Sequence, residues 1–204
     1  MKTSEIQDCR KFHNRFSLCT TSATSLYDSF IRNEIDFDVF LPSIGLNLQR
    51  KLVWSLDQKR ELIYSILKSI PIGNASILRN IFPFTKEEID QLYKDKAECP
   101  DFFKYQVIDG KQRLMTIIDF LGDIFKILID EEYLYFSELP LEFKRIIWGY
   151  NISSYEISMG WGVVMSDAEK IEWFQSVSFK GTPQEESHLA KLTIAMKANE
   201  TTTQ

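Results

Sequence analysis

Read for the spacing of its apolar positions, the chain alternates short strands with helices. Residues 35–41, Ile-Asp-Phe-Asp-Val-Phe-Leu, alternate apolar and acidic side chains. That period of two predicts a strand with one buried face, ended by Pro42 and Gly45. Leu62, Ile63, Ile66, Leu67 and Ile70 fall on one helical stripe after Trp54. Ser55, with Gln58 three residues on, supplies a capping box, and Pro71 and Gly73 supply the stop. Residues 75–79 and 104–108 predict two more short strands. Between them, Thr85 with Glu88 caps a mostly polar surface helix over 85–98. Leu114, Ile117, Ile118, Leu121, Ile124, Phe125 and Leu128 predict a long core helix over about 111–129. Ser137 opens a helix to about Gly149, and residues 151–157 form a strand. Asp167 caps a helix to about Val177. Thr182, with Pro183 at the first helical position, starts the last one. Residues 1–33 show no period, and the polar run Thr20–Ser25 reads as a loop. The pattern predicts one α+β domain over 34–198, a polar lead at 1–33 and a frayed tail at 199–204.

Composition narrows the function more than the fold. Hydrophobic residues make up 44% of the 204 and charged ones 26%, enough to bury a real core. The net charge of −5 and the pI near 5.2 weigh against tight non-specific DNA binding. Direct DNA contact would need a local basic patch. Cys9, Cys19 and Cys99 are odd in number and contain no Cys-x-x-Cys pair, so neither a disulfide framework nor a zinc knuckle is expected. The N-terminus lacks the apolar run of a signal peptide, and no window has the apolar length of a membrane span. The expected compartment is the cytoplasm of a bacterial or phage-infected cell. His13 and His188 have no neighbours at ligand spacing.

The chemically suggestive segment is Ile108-Asp109-Gly110-Lys111-Gln112-Arg113, where a strand meets a helix. The first N–H groups of a helix have no intrahelical partner and sit at the positive end of its dipole, a ready anion site. Gly110 would permit close approach of a phosphate, Lys111 and Arg113 add charge, and Asp109 could hold a divalent metal or orient a water. A plainer reading also stands. Asp109 can be an N-cap with Gln112 completing a capping box, and Asp109 with Arg113 can be an i,i+4 pair.

Three further segments precede or follow this turn in a particular order. They are Leu48-Gln49-Arg50-Lys51-Leu52-Val53-Trp54, then Ser69-Ile70-Pro71-Ile72-Gly73, and later Lys170-Ile171-Glu172-Trp173-Phe174 with Gly181-Thr182-Pro183. Together with 105–113, these resemble the N-terminal domain family of GmrSD-type restriction systems over about residues 40–188. That family carries a Gln-Arg…Trp segment, an Ile-Pro-x-Gly turn, an Asp-Gly-Gln-Gln-Arg motif and a Phe…Gly-Thr-Pro element. The resemblance implies a ParB/sulfiredoxin-like fold, a small mixed sheet with flanking helices and a helical C-terminal part. It also implies a site for a nucleoside triphosphate with Mg²⁺. Asp109 and Arg113 would be its catalytic residues, with Asp109 also the metal ligand. Gln49, Arg50, Trp54, Gly110, Lys111 and Gln112 would bind the nucleotide. Lys111 stands where the family usually has Gln, and Ser178-Phe179 where it tends to have Asn.

The function so implied is nucleotide binding with slow hydrolysis, linked to conflict between phage and host restriction. Two alternatives stand beside it. One is a non-catalytic interaction protein, a copy of the domain that binds a host or defence factor. The other is a ParB-like DNA nickase. Expected partners are a nucleotide and a protein of a restriction or defence system, with no membrane.

Overall fold

The structure, a computed structural model, describes residues 16–80, 104–159, 165–178 and 194. The helix expected over 85–98 and the one expected at Thr182-Pro183 lie outside the described residues.

Among the described residues the protein is α+β. A five-stranded mixed sheet runs β1 (Phe16–Ser22), β9 (Asn151–Met159), β5 (Ala75–Asn80), β6 (Tyr105–Asp109), β2 (Ile35–Asp36). The pairs β1–β9 and β5–β6 are antiparallel, while β5–β9 and β2–β6 are parallel. Two small hairpins complete the strands: β3 (Phe40–Leu41) with β4 (Leu46–Asn47), and β7 (Ile127–Ile129) with β8 (Glu132–Leu134). The helices are α1 (Ala23–Ile31), α2 (Leu56–Leu67), α3 (Lys111–Leu121), α4 (Leu141–Trp148) and α5 (Asp167–Ser178).

Strand alternation sends neighbouring residues to opposite faces, so the sheet carries two cores. On one face Ala75, Ile77, Val107 and Ile152 pack with Leu62, Ile63 and Ile66 of α2 and with Leu114, Ile117 and Phe120 of α3. On the other face Leu78, Ile108 and Ile157 meet Val39, Leu41 and Leu48 and, from α5, Ile171, Trp173 and Phe174. Burying one such aliphatic side chain stabilises by roughly 1.5–3 kcal/mol, so the apolar stripes decide where each helix sits. Among the described residues the buried Trp173 indole N–H has no hydrogen-bond acceptor, while its ring meets Phe16 edge-on at 5.5 Å.

Several expectations from the sequence change. Residues 16–33 are no lead. Their first part is an edge strand, and the run Thr20–Ser25 spans the end of β1 and the start of α1, where Ser22 caps the helix through the Ser25 N–H at 3.1 Å. The strand expected over 35–41 is broken in two. Asp36 Oδ1 accepts the N–H groups of Asp38 (2.9 Å) and Val39 (2.8 Å), a local turn that competes with sheet pairing. The core helix expected to 129 stops at Leu121. Asp123 takes a φ of +58°, and the N–H groups of Asp123 and Ile124 close on Phe120 and Asp119. That is a Schellman ending with Asp in the left-handed position usually given to glycine. Helix α2 ends in the same way at Ser69 (φ +57°), before Pro71 and Gly73 are reached. Ser166, not Asp167, caps α5: its Oγ accepts the Glu169 N–H at 3.3 Å, and Glu169 returns the bond. The segment expected to be helical from Ser137 is a 3₁₀ turn over Phe136–Glu138, followed by α4 after Pro140.

Where β5 and β6 approach, the Asn80 N–H donates to the Lys104 carbonyl at 2.9 Å.

Candidate functional site

The β6–α3 turn gathers three of the sequence segments singled out above. Gly110 makes it possible. It is buried at φ +99°, and a Cβ there would lie 3.1 Å from the Ala75 Cβ, so α3 can start close against β5 only with glycine at this position. The same contact sets the position that a Cβ would take at Gly110 against β5.

Asp109 is the last residue of β6 and does not cap α3. The N-cap is Gly110, and no side chain caps the helix. Leu114 is the first α3 residue whose N–H finds an intrahelical carbonyl, that of Gly110 at 3.0 Å. The capping-box reading of Asp109 with Gln112 is therefore overturned, because both side chains have other partners. The i,i+4 pair is present: Arg113 Nη2 lies 3.4 Å from Asp109 Oδ2.

Gln112 is a clamp. Its Oε1 accepts from the N–H groups of Val53 (3.1 Å) and Trp54 (3.3 Å), and its Nε2 donates to the Lys51 carbonyl at 3.0 Å. Both ends of one amide thus fix the Lys51–Trp54 segment onto α3. Arg113 does the same for the next segment. Its Nη1 donates to the Ile72 carbonyl at 2.9 Å and its Nη2 to the Asn74 carbonyl at 3.0 Å. Gly73 is required between them. Its φ is +80°, and a Cβ would lie 2.8 Å from Arg113 Nη1.

Gln49 is buried, and its Nε2 donates to the carbonyls of Val107 (3.0 Å) and Ile108. Lys111 is buried, and its ammonium pairs with Asp38 of the turn after β2. Trp54 is half-buried against the core of the α2–α3 face. Arg50 is held between two anchored neighbours, Gln49 and Lys51. Among the described residues its guanidinium has no hydrogen bond or ion pair, which sets it apart from Lys111 and Arg113.

The structure thus brings Gln49, Arg50, Trp54, Asp109, Gly110, Lys111, Gln112 and Arg113 together around one turn. It spends most of their polar atoms on backbone carbonyls and N–H groups of distant segments. In the later segment Lys170 lies on α5 and is buried. Burial holds its ammonium below the usual lysine range, against the pull of Asp167 and Asp36. Ser178 ends α5, and Gly181, Thr182 and Pro183 lie outside the described residues. Sequence reasoning missed Asp38, the Lys111 partner. Its only signal was an acidic residue in an alternating run, which reads as the solvent face of a strand.

Among the described residues no group of three or more His, Cys, Asp or Glu side chains could hold a metal ion by itself. No described helix is long and apolar enough to cross a membrane.

Compared with protein families, the chain matches the model described as "GmrSD restriction endonuclease, N-terminal domain" over residues 26–195. No curated protein and no solved structure matches it.

Proposed function

The chain belongs to the GmrSD restriction endonuclease N-terminal domain family, which associates it with restriction systems, and on that premise we propose that it binds a nucleoside triphosphate at the β6–α3 turn and hydrolyses it slowly. The observation that carries this reading is the state of Arg50. Lys111 and Arg113 are engaged, while Arg50 is held in place by its neighbours and has no partner among the described residues. An uncapped helix start beside an unpaired guanidinium is suited to an anion.

The roles divide accordingly. Arg50 and the first-turn N–H groups of α3 take the phosphates. Lys111 adds a second positive charge when it releases Asp38, whose side chain is 64% exposed and loses little on returning to water. Gln112 and Arg113 act as positioning residues, since each fixes a segment of the pocket wall. Trp54 flanks the base or packs the wall. Asp109, whose side chain is 29% exposed, orients the attacking water.

One carboxylate at the turn fits Mg²⁺ that arrives on the nucleotide, because that ion is usually held by one or two carboxylates plus phosphate oxygens. Asp109 would hold it, and it would neutralise charge on the phosphates.

Calorimetric titration with ATP, GTP and CTP, each with Mg²⁺, tests the reading. Binding of one of them, weakened at least tenfold in Arg50→Gln with an unchanged melting curve, is the expected result. Absence of binding to all three overturns it. A second reading, an interaction protein without turnover, is favoured by one observation: Gln49, Gln112 and Arg113 are already satisfied within the fold, so the turn is built without a ligand. Tight nucleotide binding with no phosphate release would select it.

A further inference from the structure

We propose that a cavity between α1 and the sheet is a second binding site, for a small organic cation whose ammonium or guanidinium sits on Glu156. The proposal is independent of the nucleotide reading.

The cavity has a volume of about 240 Å³. Its floor is apolar, from Leu26 of α1, Ile35 and Ile77 of the sheet, Val107 of β6 and Leu114 of α3. One ionisable side chain, Glu156, interrupts that floor. It sits on the interior strand β9, on the same face as Ile152 and Ser154, and is 9% exposed. Its partners are neutral. The Ser154 hydroxyl lies 3.2 Å from Oε1, and the Cys19 thiol of the neighbouring edge strand lies close enough to feel the carboxylate. Burial and then that carboxylate push the thiol above its ordinary value.

A buried carboxylate without a cation is costly, and such groups are normally paired. Arg79 of β5, whose charge reaches the Cys19 thiol, makes no ion pair with Glu156, and the cations at the mouth are committed elsewhere. At the mouth Arg32 pairs with Glu34 at 3.0 Å, and Lys104 reaches the same Glu34 at 4.0 Å. Asp28 adds another carboxylate to the mouth. Two carboxylates, Asp28 and Glu156, and two cations, Arg32 and Lys104, thus line the cavity, and both cations are drawn to Glu34 outside the lining, which leaves Glu156 without an ion pair.

The size sets the ligand class. Pockets for drug-sized molecules run to roughly 300–1,000 Å³. A smaller cavity with an apolar floor and one deep carboxylate suits a short alkyl chain bearing an ammonium or guanidinium. A second cationic end would meet Asp28.

The test uses agmatine and putrescine as probes, titrated into the purified full chain by calorimetry and by amide NMR. The expected result is saturable binding of at least one probe, with shifts confined to α1, β9 and the Cys19 region. Glu156→Gln should weaken it at least tenfold and leave nucleotide titrations unchanged. Should that variant fail to fold, Ser25→Trp at the exposed mouth blocks entry without touching the carboxylate and should give the same loss. No saturable binding of either probe, or binding unchanged in both variants, overturns the proposal and leaves the cavity to water.

Discussion

Helices α2 and α3 begin in opposite ways. The first turn of α2 is closed locally. Ser55 Oγ accepts the Gln58 N–H at 3.3 Å, and Gln58 Oε1 accepts the Ser55 N–H at 2.9 Å. The first turn of α3 has no side-chain cap, yet it carries two amide or guanidinium side chains able to reach backbone groups. Those side chains reach other segments instead, Lys51–Trp54 and Ile72–Asn74. A locally capped helix start is a finished piece of structure. An uncapped one surrounded by long-range clamps is a framework, whose own N–H groups remain for something else. The difference separates a helix that only packs from one that organises a site.

Three substitutions sharpen or break that contrast. The largest effect is expected from Arg113→Ala, which strips a charged donor from the Ile72 and Asn74 carbonyls. Hydrogen bonds to charged groups contribute roughly 1.5–3 kcal/mol each, and the side chain is 21% exposed, so a loss of about 3 kcal/mol is expected in urea unfolding. A loss below about 1 kcal/mol would show that the clamp is not structural. Gly110→Ala comes next. It combines a left-handed φ with the 3.1 Å approach to Ala75, and should cost about 2 kcal/mol, measured the same way. Ser55→Ala is the smallest. It removes only a cap and should lower stability by about 1 kcal/mol, with nucleotide titrations unaltered. Altered titrations in Ser55→Ala would mean the two helix starts are coupled after all.

The same contrast explains what could be read in the sequence. The α2 start was fully legible, since its partners lie three residues apart. The strand–glycine–helix order at 105–113 was legible too, as was the grouping of Gln49, Arg50 and the turn through the family resemblance. The role of Gln112 was not, because its partners at Lys51, Val53 and Trp54 are about sixty positions away and are backbone atoms that any residue supplies. Residues 16–22 were missed for a different reason. As an edge strand β1 exposes Leu18 on one face while placing Cys19 and Thr21, neither a large apolar residue, on the other, so no apolar alternation marks it. Likewise the break in 35–41 depends on the Asp36 side chain turning back on its own backbone, which a pattern of apolar positions does not register. Glu156 left one faint sign, an acid on the same strand parity as Ile152.

The bond from Asn80 to Lys104 has a practical consequence. It joins the last described residue of β5 to the residue that leads into β6, so the two ends stand at a fixed spacing. A pair of spectroscopic labels at these two positions would therefore report directly on whether β5 and β6 stay paired.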